Sequence, residues 1–488
     1  MTKKETKEMN NNNESSTASK QTRAELSLAQ KNARNALRLQ KKQENIQKAQ
    51  AEREKILNSV EYQVKKLAQE QKFNENWYKL DNAGLIYAAI SSDTTYAVYS
   101  LTAQMINLVD PIILQKAVNE IVPRFPTITA SLRTGMFWYY LEKPRQPIVV
   151  EKQTGRVCEP ISLDHRRSMI RVTYFEKMIT VSLFHTATDG TGGTIFLNSL
   201  IARYLQLQGI EIKDMTNCLD ARDKPRYEEV TDEFQNIADF STIKKEKLNH
   251  CYHIGGKQLP NKNVINRKLI ISVSKIKEVA KTYDATITQF LLACLFQSIR
   301  NERKVTNSKN KKNIRIILPT NLRKIFDKPY TLRNFVSYIF FVCPDNDDFN
   351  ATIKYIKERI SLKHNKKSLQ GMVSGHIKPE TNRFLKYAPL FLKNLAMKIG
   401  YQIESDSVTT VSLSNIGFVP TPVEFNDYVL RYEFAFGHSL LIPYGISAVS
   451  FGDCLVLNIA SKVEDVVLER SLTTLLSSLG VNIVVESD

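Results

Sequence analysis

The residues best suited to chemistry are a histidine and an aspartate in the run His185-Thr-Ala-Thr-Asp189-Gly190. An imidazole with an unperturbed pKa of about 6.5 can take a proton from a hydroxyl or an amine at neutral pH. Gly192 and Gly193 follow Gly190, and three glycines let the backbone turn tightly and approach a ligand. The pattern indicates a general base at His185, although the same spacing also fits a purely structural turn.

The remaining histidines and the cysteines are too scattered to form an obvious metal site. The histidines lie at positions 165, 250, 253, 364, 376 and 438, and the cysteines at 158, 218, 251, 294, 343 and 454. His250 and His253 flank Cys251, but no second ligand pair stands nearby in sequence. We therefore predict a structural role for this group, no bound metal, and free thiols in a reducing compartment.

The elements around the motif place it on a turn between a strand and a helix. Residues 170–175 and 177–184 alternate like strands, and the second runs directly into His185. A helix is predicted after Gly193, since apolar residues recur there at helical spacing. Upstream, Asp110-Pro111 favours a helix start, and residues 128–132 and 136–141 suggest two strands that turn at 134–135. Downstream, Ser274 and Thr288 are predicted helix caps.

The composition predicts a large folded protein with a distinct N-terminal segment. The 488 residues are 42% hydrophobic and 24% charged, which is enough apolar material for a sizeable core. Residues 1–75 are rich in Lys, Gln and Asn and lack Gly and Pro, so we predict a helical or disordered extension. Alternating helices and strands in 76–255 and again in 256–488 predict an α/β protein with two lobes.

The charge balance bears on possible partners. A net charge of +18 and a pI of about 9.4 favour polyanions such as nucleic acid, acidic lipid or a phosphorylated cofactor. No helix-turn-helix, RNP or zinc pattern supports specific nucleic-acid binding. The extension at 1–75 is either solvated or an arm that binds a partner or an anionic surface.

The first residues and the least charged segment both argue for a cytoplasmic protein. The chain begins Met-Thr-Lys-Lys and continues without an apolar run, which argues against a secretory signal. Residues 434–452 carry no charged side chain, but Pro443, His438 and three glycines interrupt them. We therefore expect a cytoplasmic protein without a membrane span.

A His-x-x-x-Asp-Gly motif after a strand and before a helix resembles the active-site motif of the superfamily that includes chloramphenicol acetyltransferase, condensation domains and plant BAHD acyltransferases. Further segments are similar to its bacterial alcohol-acetyltransferase-like branch, in the same order. They are Val109–Ala117, Arg124–Pro126, Gly135–Leu141, Tyr252–Gly256, Asn321–Arg323, Thr331–Phe335 and Ser412–Gly417. The resemblance covers the chain from about Trp77 to its end.

Two departures narrow the resemblance. Condensation domains usually have a second histidine directly before the catalytic one, and this chain has Phe184 there. The BAHD motif Asp-Phe-Gly-Trp-Gly has only a loose counterpart in Glu433–Gly437. Peptide-bond formation on carrier proteins and plant-type chemistry are both disfavoured on these grounds.

The resemblance implies two chloramphenicol-acetyltransferase-like lobes that form a V around a central tunnel. Acyl-coenzyme A would enter from one side as co-substrate, and a small alcohol or amine acceptor from the other. His185 would act as the base, and Gly190 would belong to the catalytic motif. Asp189 would hold the turn by pairing with Arg323 or Arg333, since both lie in segments similar to the family.

A tetrahedral intermediate also needs hydrogen-bond donors for its oxyanion. Ser412, Ser414 and Asn415 are candidates on or beside the predicted strand 409–413, although the same residues are typical of a strand cap or turn. Backbone amides of the glycines in the motif are an equal alternative.

Two other functions stay open at the level of sequence. The chain could be a binding or assembly protein that keeps the fold without the activity. It could also be a condensation-type enzyme that uses thioesters carried on proteins.

Overall fold

A computed structural model describes residues 77–91, 96–162, 164–243, 248–259, 264–343, 347–382, 387–404, 406–438 and 442–487, with Gln40 and Glu44. The predicted extension at 1–75 lies outside the described residues except for those two. Residues Asn76–Asp488 form one compact unit, and Met1–Glu75 are assigned to another.

The strands follow in chain order. They are β1 (Trp77–Lys79), β2 (Tyr96–Met105), β3 (Ser131–Thr134), β4 (Tyr139–Glu142), β5 (Glu151–Lys152), β6 (Ile170–Phe175), β7 (Met178–Phe184), β8 (Ile265–Ser272), β9 (Arg315–Asn321), β10 (Val336–Val342), β11 (Val411–Phe418), β12 (Val429–His438), β13 (Tyr444–Phe451), β14 (Cys454–Ser461) and β15 (Ile483–Ser487).

The α-helices lie between these strands. They are α1 (Asn82–Ile90), α2 (Pro111–Ile121), α3 (Gly190–Leu207), α4 (Tyr227–Val230), α5 (Glu233–Ile237), α6 (Val273–Thr282), α7 (Ile287–Val305), α8 (Phe349–Lys363), α9 (Lys366–Ile377), α10 (Leu390–Glu404) and α11 (Val467–Ser478). None of the helices that the structure describes combines the length and apolar character needed to cross a bilayer.

The first large sheet has the strand order β12-β2-β7-β6-β5 and carries α2 and α3 on one face. Asp110 caps α2 by accepting from the amides of Ile112 and Ile113, and Pro111 occupies the first turn, as the sequence predicts. Buried residues of α2 and α3, such as Leu114 and Leu197, pack into the same core as Val181 of β7. This packing fixes α3, and therefore the turn before it, against the sheet.

The second large sheet has the order β10-β9-β11-β13-β14-β8-β15, and α6, α7, α8 and α11 contribute to its core. The helices α6 and α7 begin earlier than predicted, because Ser272 and Thr286 cap them instead of Ser274 and Thr288. Thr286 and Gln289 bond reciprocally in a capping box, which satisfies two amides at the start of α7.

A small third sheet has the order β1-β4-β3. The predicted hairpin is present, but its strands lie further along the chain than expected, and the Gly135 amide donates to the Trp138 carbonyl across the turn. This sheet lies beside α10, because the Leu390 amide donates to the Met136 carbonyl at 2.9 Å.

The predicted α/β class is confirmed, with two large sheets and helices packed on them. The sheets do not follow a sequence boundary at residue 255, since β12 from the second half pairs with β2 of the first sheet. The two halves are therefore tied together by strand pairing as well as by side chains.

Candidate active site

His185 lies at the end of a buried strand. β7 pairs with β2 so that Phe184 stands opposite Val98, and the His185 amide then donates to the Ala97 carbonyl at 2.7 Å. The next regular element, α3, begins at Gly190, earlier than the predicted start after Gly193, because Asp189 caps it. The motif therefore occupies the strand-to-helix turn that the sequence predicts, and neighbours on both sides hold its backbone.

Asp189 is turned into the protein and caps α3. Its carboxylate accepts hydrogen bonds from the amides of Thr191, Gly192 and Phe335 at 2.8–3.1 Å. Arg323 adds two parallel bonds, at 2.8 and 3.1 Å. The Asp189 side chain is 1% exposed and that of Arg323 is 4% exposed, so this is a buried, bidentate ion pair.

Arg333, the other candidate partner, does not pair with Asp189. Its guanidinium reaches Asp81 with Nε 3.1 Å from Oδ2, and it also donates to the Lys79 carbonyl at 2.8 Å. The Arg333 carbonyl, not its side chain, faces Arg323. That part of the prediction is wrong, because the Arg333 guanidinium is bonded to Asp81 and to the Lys79 carbonyl.

The His185 ring contacts Asn334, whose amide has only one consistent orientation. Nδ2 of Asn334 donates to the His185 carbonyl at 3.0 Å and to the Asp81 carboxylate at 3.2 Å. Both partners only accept, so Oδ1 of Asn334 must face the ring, where it lies 3.1 Å from Nδ1. It follows that Nδ1 carries the hydrogen and that Nε2 holds the lone pair of the neutral imidazole.

Aromatic side chains surround the same ring. Tyr87 of α1 stacks on it with a centroid distance of 4.1 Å and an interplanar angle of 23°, and Tyr99 of β2 meets it edge-on at 5.0 Å. Phe434 of β12 packs edge-on against Tyr99 at 6.0 Å. The base is thus bordered by largely apolar groups, while His185 itself remains partly exposed.

Burial lowers the pKa of His185 below its usual value, although hydrogen bonds to the backbone and Asn334 and the nearby carboxylates of Asp189 and Asp81 oppose this effect. A lowered pKa keeps the imidazole neutral at neutral pH. A neutral ring with an oriented lone pair can accept a proton from a bound hydroxyl or amine.

The glycines of the motif are needed for close packing. A Cβ on Gly192 would lie 2.6 Å from the Leu332 carbonyl, and one on Gly193 would lie 2.6 Å from the Tyr99 hydroxyl. The Gly192 amide donates to the Asp189 carboxylate and the Gly193 amide to the Asp189 carbonyl. These two amides are already used inside the cap, so the expectation that they face an oxyanion is wrong.

The other oxyanion candidates lie on β11. The Asn415 side chain donates to Thr288 at 3.0 Å and accepts from the Gly417 amide at 2.8 Å, which fits the alternative that it stabilises the bulge between these residues. Ser412 and Ser414 are partly buried on the same strand. Ile416 follows Asn415 on β11, and its side chain lies close to Gly190. The end of β11 therefore lies beside the motif.

Asp81, Asn334 and Tyr87 were missing from the sequence-based set. Asp81 has the form of a helix cap, and its carboxylate accepts from the Gly84 amide at 2.7 Å. Asn334 lies inside the segment Thr331–Phe335, which resembles the family. Tyr87 has no local signal, because only the fold brings α1 to the motif.

The His250–His253 group lines a cavity of about 310 Å³ with Cys251, Lys312 and Ser407. Cys251 Sγ lies 3.9 Å from His253 Nε2. Within the described ranges, no three His, Cys, Asp or Glu side chains are grouped in a way that could hold a metal ion.

Known structures share this fold at low sequence identity. Polyketide synthase associated protein 5 from Mycobacterium tuberculosis has a TM-score of 0.54 and 13% identity, over 82% of this chain and 97% of that chain. The first condensation domain of the calcium-dependent antibiotic synthetase has a TM-score of 0.54 and 12% identity, over 83% and 96%. The epimerization domain from the third module of tyrocidine synthetase B has a TM-score of 0.53 and 12% identity, over 83% and 96%. No curated protein matches the chain.

A family model for alcohol acetyltransferases matches residues 225–470, about half of the 488 residues. The matched segment includes Arg323 and Asn334, which contact the motif, while His185 and Asp189 precede it. The same family is the one that the sequence motifs resemble. The chain shares its fold with condensation domains. Because the family model matches about half of the chain, the protein belongs to the alcohol acetyltransferase family.

Proposed function

We propose that this protein transfers an acyl group, such as acetyl, from a coenzyme A thioester to a hydroxyl or amine acceptor. The observation that carries the proposal is the His185 ring, which is neutral, partly exposed and held by Asn334 so that Nε2 can accept a proton. Family membership supports acyl transfer or condensation as the type of reaction.

In the proposed reaction, Nε2 of His185 removes the proton of the acceptor as its oxygen or nitrogen attacks the thioester carbonyl. A tetrahedral intermediate forms and then collapses with cleavage of the carbon–sulfur bond. The proton on His185 passes to the departing thiolate, so coenzyme A leaves as the thiol and the imidazole returns to its neutral form. Asp189 does not touch the reacting atoms and acts as a positioning residue.

Asp81 and Asn334 are further positioning residues in this scheme. Asp81 is fully buried and accepts from both Arg333 and Asn334, which fixes the amide that faces Nδ1 of His185. The aromatic border of Tyr87, Tyr99 and Phe434 suits an acyl group or an apolar acceptor. The surplus of 68 Lys and Arg over 50 Asp and Glu suits the phosphates of coenzyme A.

The donor is tested by thiol release. Purified protein is expected to release free thiol from acetyl-coenzyme A when a suitable member of a panel of alcohols and amines is added, measured with a thiol-reactive dye. The control omits the acceptor. Release from no coenzyme A thioester with any acceptor would contradict the proposal.

The same assay distinguishes transfer from coenzyme A from a condensation-type reaction, which the shared fold also allows. A condensation-type enzyme would use a thioester on the pantetheine arm of a carrier protein and would leave acetyl-coenzyme A untouched. Phe184, at the position of the additional histidine, is 1% exposed in the core with Leu132 and Met169 and supplies no second imidazole. This difference favours coenzyme A as the donor.

The pH dependence has a defined direction. Only the neutral imidazole is active, and burial lowers its pKa from 6.5, so kcat/KM should rise with pH and reach its plateau with an acid midpoint below 6.5. A profile of kcat/KM between pH 5 and 8, with an acceptor that does not titrate in that range, measures this midpoint. A midpoint above 6.5 would contradict the assigned environment of His185.

The variant Asn334→Ala, measured over the same pH range, tests whether Asn334 positions the His185 ring. Loss of one hydrogen bond that fixes the tautomer should lower the plateau of kcat by about fivefold to tenfold, with a smaller effect on KM. Because Asn334 is buried, the unfolding transition of the variant is measured alongside. A fall in stability without a fall in kcat at a temperature where the variant is folded would reduce Asn334 to a structural residue.

A further inference from the structure

Helix α10 presents an apolar face to the solvent. Its exposed large side chains recur at the spacing of one helical side, with Phe391 at 71%, Leu395 at 58%, Ile399 at 50% and Ile403 at 57% exposure. Leu392 adds 48%. A surface helix ordinarily turns such a stripe toward the core and its polar side toward water, so this orientation is reversed.

Polar contacts hold the helix in this orientation. Asn394 donates to the Tyr139 hydroxyl at 2.7 Å, and the Lys393 ammonium donates to the Phe137 carbonyl at 2.7 Å. Leu390 is buried at the start of the helix. The inner side of α10 therefore includes two bonded polar groups beside the apolar Leu390, while the apolar stripe faces outward.

The neighbouring hairpin extends the same surface. Met136 is 75% exposed and Trp138 is 48% exposed, and the Met136 carbonyl accepts from the Leu390 amide at the start of α10. Trp77, the other tryptophan of the chain, is 41% exposed on the same small sheet. Tryptophan favours the boundary between water and lipid, where its ring is partly buried and its N–H stays hydrated.

We propose that the α10 surface, formed by Phe391, Leu392, Leu395, Ile399 and Ile403 with Met136 and Trp138, lies on a lipid bilayer that contains anionic headgroups. Its exposed large side chains are uncharged, and the adjoining sheet and its hairpin turn expose Trp77 and Trp138, the two tryptophans of the chain. The net charge of +18 complements anionic lipid, which a purely apolar protein interface would not need.

Because of the position of α10, contact of its surface with lipid would affect the active site. α10 packs against α1, and Tyr87 of α1 stacks on the His185 ring. If the proposed function holds, on which this step rests, the lipid surface would hold an apolar alcohol or amine on the α1 side of the base. The acceptor would then be a molecule that partitions into lipid rather than a small water-soluble one.

The experiment is vesicle flotation of the full chain with phosphatidylcholine vesicles, with and without phosphatidylglycerol. The wild type should float with the vesicles, more strongly when phosphatidylglycerol is present, and Leu395→Gln/Ile399→Gln should lower its partition coefficient about tenfold. Leu362→Gln is the matched control, since Leu362 is 68% exposed on α8, and it should float like the wild type. The segment 1–75 is present in all three proteins, so its charge cancels in the comparison.

Three results would overturn the proposal. One is a wild type that does not float, and another is a double variant that floats as well as the wild type. The third is a wild-type dimer that the double variant converts to monomer without any vesicle binding, which would assign the surface to a second copy. Thiol release with the best acceptor of the whole panel, apolar alcohols and amines included, is measured on the same samples with and without vesicles, so failure of the acyltransferase proposal is distinguished from failure of the lipid surface.

Discussion

Replacing His185 by alanine is expected to lower thiol release from acetyl-coenzyme A by about 10²-fold to 10⁴-fold, because the variant loses its general base. The effect should lie in kcat, since the imidazole takes the proton in the transition state. Steady-state kinetics with the best acceptor from the panel measure it. The fold should persist, because the His185 amide bond to Ala97 and the Asp189 cap of α3 do not use the imidazole.

His364→Ala is the matched control for this variant. His364 is an exposed histidine at the end of α8, remote in sequence from the motif, and its removal should leave kcat unchanged. Turnover by His185→Ala equal to the wild type would remove the catalytic role. Absence of coenzyme A binding by the wild type in a calorimeter would favour a non-catalytic binding or assembly protein, or a condensation-type enzyme that uses carrier-bound thioesters, over a coenzyme A-dependent transferase.

Replacing Asp189 by alanine is expected to lower the free energy of unfolding by about 3–5 kcal/mol, because it leaves the buried Arg323 guanidinium without its counterion. The variant also loses the cap on the Thr191 and Gly192 amides and the acceptor for the Phe335 amide. Denaturant titration followed by circular dichroism measures the change. Activity should fall as well, since the turn after His185 loses its anchor.

The control for this prediction is an ion pair at the surface. Lys257 and Glu464 lie 2.9 Å apart with 77% and 40% of their side chains exposed, so Glu464→Ala should cost less than about 1 kcal/mol. The double variant Asp189→Ala/Arg323→Ala should be less destabilised than the sum of the two single variants, because no buried charge is left unpaired. An Asp189→Ala variant as stable as the wild type would show that the pair does not hold the turn.

Local sequence patterns were sufficient to predict a strand or helix where the residues that determine it lie within one short segment. The strand that ends at Phe184, the helix after it and the Asp110-Pro111 helix start could all be predicted, because alternation and capping residues act within a few positions. The caps of α6 and α7 were predicted two residues too late in the chain. Several Ser and Thr residues near each start could serve as cap, and only the observed backbone selects Ser272 and Thr286.

The orientation of α10 illustrates the limit of such patterns. Its apolar stripe alone favours burial. In the structure the stripe faces outward, and Lys393 and Asn394 on the other side bond to Phe137 and Tyr139, both more than 200 positions earlier in the chain. Sequence periodicity identifies the stripe but cannot say which side of the helix finds partners.

By itself the sequence determined the α/β class, the family, the strand-to-helix turn at His185 and two candidate partners for Asp189. Only the tertiary structure decided that Arg323 holds Asp189, that Arg333 holds Asp81, and that Asn334 orients the imidazole. These contacts join residues 134, 252 and 149 positions apart. Their geometry depends on how the chain brings the 331–335 segment against the motif, which a local pattern of side chains does not encode.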